Sequence, residues 1–194
     1  MPNTISDDSL AAARLGQGWA FEGIYRDLGG PVHRFLAAQG VVDPEALTQD
    51  VFLRAFRNLE RFSGDGEALR SWIFTIAHNL LIDDRRAATR RPRPDCADDL
   101  AGVAELGSQD ALDAVLERGR IRFLLDALPS EQRRVVALRF LADLPLADVA
   151  IVMDRSLEAV KALQHRGLAQ LRRLLEELPE EAASSMPIPT FTTL

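Results

Sequence analysis

Thr75, Asn79, Asp83 and Arg86 recur at i, i+4, i+8 and i+11. On a helix those intervals fall on one side. A solvated helix face usually carries long charged residues, whereas this one is built mostly from short hydrogen-bonding groups. Such groups suit unstacked nucleobases, and the arginines just beyond (Arg85, Arg86, Arg90, Arg91, Arg93) suit phosphates. Ahead of them lies a loop with Ser63, Gly64, Asp65 and Gly66. Its small residues accept backbone angles closed to a helix. Residues 62–86 therefore have the chemistry of a single-strand nucleic-acid reader.

Other chemistries find less support. His33, His78 and His165 lie on separate elements without metal-ligand spacing. Asp83 and Asp84 are adjacent, so a helix points them in different directions and they form no carboxylate pair. Ser63-Gly64-Asp65-Gly66 lacks the remaining ligands of a calcium loop. There is no phosphate-binding glycine motif. Neither catalysis, a cofactor nor a metal is expected. Cys96 is the single cysteine, which excludes an internal disulfide framework. No apolar run approaches 18 residues, and residues 1–8 lack a basic start and an apolar core. The expectation is a cytoplasmic protein without membrane insertion.

The chain has 194 residues, room for one domain or two small ones, and a net charge of −6. That charge is unevenly placed. Residues 95–119 hold seven acidic side chains against Arg118 alone, whereas residues 120–175 hold ten basic against six acidic, a local +4. An acidic whole with basic faces fits binding to nucleic acid through selected surfaces only.

The elements that position these groups read as helices throughout. A short helix over 7–15 is capped by Ser6 or Asp7. A second, near 19–28, turns Phe21, Ile24, Tyr25 and Leu28 to one side. Gly29-Gly30-Pro31 is read as a breaker, with a third helix to about residue 39. Asp43-Pro44 opens a fourth helix, with Leu47, Val51, Phe52, Ala55, Phe56 and Leu59 inward. Its other side, with Gln49, Asp50, Arg54 and Arg57, is either a solvated face or a docking surface. The fifth helix covers about 69–86, with an apolar stripe of Trp72, Ile73, Ile76, Leu80 and Leu81; Pro92 and Pro94 stop it. Residues 95–110 read as a flexible acidic linker. A further helix from about residue 111 carries Leu112, Val115, Leu116, Ile121, Leu124 and Leu125. After a break at Leu128-Pro129, with Ser130 as cap, a helix over 131–141 buries Val135, Val136, Leu138 and Phe140. A short helix over 146–153, a turn at Asp154-Arg155 and a long helix capped by Ser156 follow. This is a helix-turn-helix layout, held by Val149, Ala150, Val160 and Leu163. Glu158, Lys161, Ala162 and His165 then face a major groove, and Arg166, Arg172 and Arg173 reach phosphates. A plain helical hairpin with a solvated basic face fits the same pattern. Residues 176–194 read as a disordered tail.

Five segments in this order resemble the bacterial sigma factors of the extracytoplasmic-function type (sigma-70 superfamily, group 4): residues 20–26, 47–56, 70–83, 128–133 and 160–166. The resemblance implies an all-α chain of two small helical domains joined by the linker, the second a helix-turn-helix domain. Their expected extents are 1–94 and 111–175. It implies no enzymatic activity but promoter-specific transcription initiation with core RNA polymerase. Gln49, Asp50, Leu53, Arg54 and Arg57 match the surface that docks on the β and β′ subunits. Ser63, Gly64, Asp65, Gly66, Arg70, Trp72, Thr75, Asn79, Asp83, Arg85 and Arg86 match the part that melts and captures the −10 non-template strand. Ser156, Glu158, Lys161, Ala162, His165 and Arg166 match the −35 duplex reader. An anti-sigma factor is an implied partner. Three departures stand out: Ala46 replaces a usual acidic residue, the −10 loop is one residue longer, and Gly167 interrupts the last helix at a cost of about 1 kcal/mol relative to alanine. The second reading is an autonomous helix-turn-helix regulator that binds duplex DNA without polymerase.

Overall fold

The computed structural model describes residues 5–90, 119 and 121–177, and these are helical with short turns. Helix α1 spans Asp7–Arg14. Ser6 Oγ accepts from Ser9 N at 3.2 Å, and Asp7 and Asp8 face the positive end of the helix dipole. Leu10 and Ala13 bury its inner side.

Helix α2 is one unbroken helix, Gly18–Ala38, with Pro31 inside it. This corrects the expectation of two helices divided at Gly29-Gly30-Pro31. Proline in a helix interior costs about 3 kcal/mol. Ile24, Leu28, Val32, Phe35 and Leu36 are all buried on a single stripe that runs through the proline, so packing along the whole length outweighs it.

Helix α3, Pro44–Asn58, starts as its sequence predicts: Asp43 Oδ1 accepts from Ala46 N at 2.9 Å and proline takes the first turn. It packs on α2 through ring contacts, Phe21 to Phe56 at 4.7 Å and Tyr25 to Phe52 at 4.8 Å between centroids. A 3₁₀ turn, Leu59–Arg61, leads to the loop. Helix α4 then runs over Gly66–Arg90, beginning three residues before the expected start. Asp65 Oδ1 accepts from Ala68 N at 2.8 Å, so the aspartate inside the expected loop acts as the cap and leaves only 62–65 outside the helix.

The C-terminal half comprises helical residues 121–126 (α5), α6 (Ser130–Phe140), α7 (Leu146–Met153) and α8 (Leu157–Glu177). Ser130 is the first helical residue rather than the cap. Pro129 holds the cap position with ψ 145°, and its carbonyl accepts from Arg133 N at 2.9 Å. Val135, Val136 and Leu138 are buried as expected, but Phe140 is 41% exposed at the helix end. Gly167 faces α6. A Cβ there would sit 3.1 Å from Val136 Cγ2 and 3.4 Å from Gln132 Cβ. The glycine thus permits a close crossing of two helices.

α7 lies against α4, and α6 against α2, so the buried apolar residues of both halves form one continuous cluster. The expected acidic linker, most of the helix from residue 111 and residues 178–194 of the expected tail lie outside the described residues, while Glu176 and Glu177, expected in that tail, belong to α8. No helix among the described residues is long and apolar enough to cross a membrane.

Candidate nucleic-acid interface

α4 has three working faces. The first is core: Leu69, Ile73, Ala77 and Leu80 are buried. The second is the polar stripe. Asn79, Asp83 and Arg86 are exposed and Thr75 is half-buried, its hydroxyl donating to Ser71 O at 2.9 Å. Trp72 and Ile76, expected on the apolar stripe with Ile73, Leu80 and Leu81, are only half-buried and border this second face.

Between α3, the 3₁₀ turn and α4 opens a surface cavity of about 380 Å³. Arg54, Asn58, Arg61, Phe62, Trp72, Ile76 and Asn79 line it. Phe62 and Trp72 lie 4.9 Å apart with their rings tilted by 32°. Asn58 Nδ2 donates to Arg54 O at 2.8 Å. Aromatic faces, two amides and two guanidiniums are the groups that hold an unstacked base and its phosphate. Of these seven residues, Trp72 and Asn79 carried a strand-reading expectation, and Arg54 a docking one. Phe62 and Ile76 lie within the 62–86 stretch but were not singled out as strand contacts, and Asn58 and Arg61 were missed. Asn58, one turn after Arg54 on the same polar side of α3, carried a signal in its spacing; Arg61 had none.

The loop beside this cavity is held from outside the expected site. Arg14 Nη2 donates to Phe62 O at 2.9 Å and to Gly64 O at 3.1 Å, and its guanidinium lies 5.7 Å from the Phe62 ring centroid. Ser63, Gly64 and Asp65 are left exposed, whereas Gly66 is buried at the start of α4.

The third face was not legible as one. Arg70, Ser71, His78 and Arg85 share a side of α4 and turn inward. Arg70 Nη1 donates to Ala142 O at 2.9 Å, and Ser71 Oγ donates to Asp148 Oδ2. Arg85 Nη2 donates to Gln39 O at 2.9 Å. Arg70 and Arg85, both expected at the DNA strand, are thus engaged within the protein in this state, while Arg86 is exposed. His78 Nε2 lies 3.3 Å from Arg134 Nη1. Because a guanidinium only donates, Nε2 accepts and the ring proton sits on Nδ1. Burial first, then Arg134 and Arg85, lowers the His78 pKa to about 4. Neutral imidazole is therefore part of the packed state. Its contribution is fully present above about pH 6.5 and is lost as pH falls towards 4. At pH 5 the loss is about 2 kcal/mol, given the span from 6.5 to about 4. Thermal melts of wild type are expected to drop between pH 7 and 5, and His78→Gln to lose that part of the dependence.

The α7–α8 pair forms the expected helix-turn-helix. Asp154 takes a left-handed φ of 52°, and Arg155 N donates to Ala150 O at 3.0 Å, closing the turn. Ser156 Oγ accepts from Ala159 N at 3.2 Å, so this residue, expected at the −35 element, caps α8. Val149, Ala150, Val160 and Leu163 are buried between the helices. Glu158, Lys161, Ala162, His165 and Arg166 are exposed on one side. Arg155 Nη2 binds Glu131 Oε1 at 2.7 Å, tying the turn to α6. That bond holds the Glu131 carboxyl below its ordinary range.

On α3 the candidate docking residues Gln49, Asp50, Leu53, Arg54 and Arg57 are all exposed. Leu53 is 50% exposed, an apolar side chain among charged neighbours. Arg54 also reaches the cavity, so the two candidate sites share a residue.

Residues 20–91 match the family Sigma-70 region 2, and residues 124–173 match Sigma-70, region 4. The chain is 34% identical over 171 residues to the ECF RNA polymerase sigma factor BldN of Streptomyces coelicolor, covering 85% of this chain and 64% of BldN. It is 31% identical over 134 residues to SigL of Mycobacterium tuberculosis, covering 69% of this chain and 75% of SigL. It is 30% identical to SigX of Bacillus subtilis over 148 residues, covering 71% of this chain and 73% of SigX. Among solved structures, CnrH in complex with the cytosolic domain of CnrY has a similar fold, with a TM-score of 0.66 and 24% identity over 89% of this chain and 97% of that one. The chain belongs to the ECF RNA polymerase sigma factors, the non-enzymatic subunits that direct promoter-specific transcription initiation by core RNA polymerase.

Proposed function

We propose that three surfaces divide the work of initiation in this chain. The outward side of α3 (Gln49, Asp50, Leu53, Arg54, Arg57) docks on the β and β′ subunits of core polymerase. The 62–65 loop, the Thr75–Asn79–Asp83–Arg86 stripe and the adjoining cavity capture the −10 non-template strand. Lys161, Ala162, His165 and Arg166 on α8 read the −35 duplex, with Glu158 beside them. In this reading residues 1–94 and 111–175 are the two working modules, and they act in the cytoplasm. An anti-sigma factor that covers the same surfaces is a further proposed partner, supported by family membership.

One observation carries the strand-capture assignment: the polar stripe and the aromatic, amide and arginine cavity adjoin on the same side of α4. A base pulled from the duplex stacks on the Trp72 and Phe62 rings, Asn58 and Asn79 meet its edge, and Arg54 and Arg61 neutralise the phosphate.

Run-off transcription with core polymerase on a native promoter tests the whole reading. A promoter-dependent transcript that requires both components is expected. Tight, sequence-specific duplex binding without polymerase, and no transcript, would establish the autonomous regulator instead. Within the holoenzyme, alanine at Lys161, His165 or Arg166 is expected to weaken −35 binding by about 1–3 kcal/mol where a base contact is lost. Fluorescence anisotropy with a −35 duplex measures it, and unchanged affinity would remove α8 from the groove.

A further inference from the structure

Helix α1 lies ahead of the residues that match Sigma-70 region 2, which begin at residue 20. Its first and last residues nonetheless hold the two ends of the 62–65 loop. At one end Asp7 Oδ1 accepts from Gly66 N at 3.2 Å. At the other, Arg14 Nη2 donates to Phe62 O at 2.9 Å and to Gly64 O at 3.1 Å. α1 is itself fixed, since Leu10 and Ala13 are buried in the core.

The effect reaches the cavity through Phe62. A Cβ on Gly64 would sit 2.8 Å from Phe62 Cζ, so the loop backbone lies directly against that ring. The Arg14 guanidinium stands 5.7 Å from the ring centroid, within range of a cation–π attraction. Trp72 lies 4.9 Å away, and both rings line the cavity. One guanidinium thus fixes two loop carbonyls and the aromatic wall beside them. The other hydrogen bonds described for the loop (Phe62 N to Leu59 O, Ala68 N to Asp65 Oδ1, Leu69 N to Asp65 O) stay within a few residues of it. Ser63, Gly64 and Asp65 are exposed. A loop of small residues without an outside anchor samples several shapes and loses conformational entropy when it closes on a ligand; a loop already fixed avoids both.

We propose that Arg14 is a positioning residue for −10 base selection: it shapes the cavity through Phe62 and Gly64 and does not touch the DNA. The inference rests on the assignment of this cavity to the captured base. It places one determinant of promoter choice on α1, outside the matched residues 20–91.

Full-length Arg14→Ala tests this. Run-off transcription with core polymerase is measured on a native promoter and on its single-base variants across the −10 element. At the position whose base is captured, the ratio between the best and the worst base is expected to shrink several-fold, while pull-down of core polymerase stays as in wild type. The slope of log affinity against log salt is expected to remain, because a lost phosphate contact lowers it by about one. In the free chain, Trp19→Phe leaves Trp72 as the one tryptophan. In that background Arg14→Ala is expected to shift the Trp72 emission to the red before any DNA is added. Arg14→Lys, charged but shorter, is expected to lie between wild type and Arg14→Ala, and carries the same readouts if the alanine variant fails to fold. An unchanged base ratio, an unchanged Trp72 spectrum or a salt slope lowered by about one would each overturn the proposal. Trp72→Ala measured in parallel separates the two levels. If it impairs strand opening while Arg14→Ala keeps the wild-type base ratio, this inference alone fails. If Trp72→Ala also opens promoters normally, the cavity assignment fails with it.

Discussion

Trp72→Ala is expected to lower promoter-dependent run-off transcription by roughly 5- to 150-fold, the equivalent of the 1–3 kcal/mol that a stacked base gains on an aromatic side chain. Trp72 is half-buried beside Phe62 on the wall of the cavity, so its exposed face is open to a base while its other side packs. The predicted defect is in strand opening. Binding of the variant to core polymerase, measured by pull-down, should remain as in wild type, because the docking residues of α3 other than Arg54 lie away from the cavity. Trp72→Phe should recover most of the activity, since it keeps an aromatic face. Permanganate reactivity of unpaired thymines near −10 separates a melting defect from a later one. Full activity of Trp72→Ala at normal promoter opening would remove the cavity from the mechanism.

Gly66→Ala is expected to destabilise the protein by about 3 kcal/mol, the upper end for an overpacked site. On a solvent-facing helix the same change stabilises by about 1 kcal/mol, so the sign itself is diagnostic. Here a Cβ would fall 1.8 Å from the Ile5 carbonyl oxygen and 2.8 Å from the Ile5 carbonyl carbon. Those are backbone atoms and cannot turn aside as a side chain does. Gly66 N also donates to Asp7 Oδ1 at 3.2 Å, so the segment that must shift is tied to α4 at the same point. A fall in melting temperature of roughly 6–12 °C is the expected reading for a chain of this size. Displacing the Ile5 segment should also loosen α1, and with it the Arg14 bonds to Phe62 O and Gly64 O that hold the 62–65 loop, the proposed strand reader. Transcription is therefore expected to fall even below the melting range. A variant as stable as wild type would show that the segment before α1 is not packed under α4.

Much of the local structure was legible in the residues. Ser6, Asp43 and Ser156 cap the helices they precede, because a short side-chain oxygen can satisfy an unpaired first-turn N–H wherever the chain later goes. The short helix, turn and long helix at the end followed from periodicity and the polar Asp154-Arg155-Ser156 break. Asn79, Asp83 and Arg86 of the polar stripe project to solvent as their spacing required, with Thr75 half-buried at its start. Five segments in the family's order were enough to indicate both domains, and both family matches fall on them.

The remainder depended on which faces meet, and spacing within one helix carries no such information. Pro31 sits inside α2 because five buried side chains on both sides of it find partners on other helices. Trp72 and Ile76 share the period of a core stripe, yet α3 and the 3₁₀ turn leave a cavity over them. Gly167 serves the crossing with α6, and Arg70, Ser71 and His78 meet groups 56 to 77 residues away in sequence. The sequence by itself determined most of the helices, several of their caps and the polar stripes of α4 and α8, since these arise from interactions within a few turns. Only the tertiary structure decided that α4 has a third face and that the C-terminal helices lie on it, because that depends on the shape and polarity of a surface assembled from distant parts of the chain.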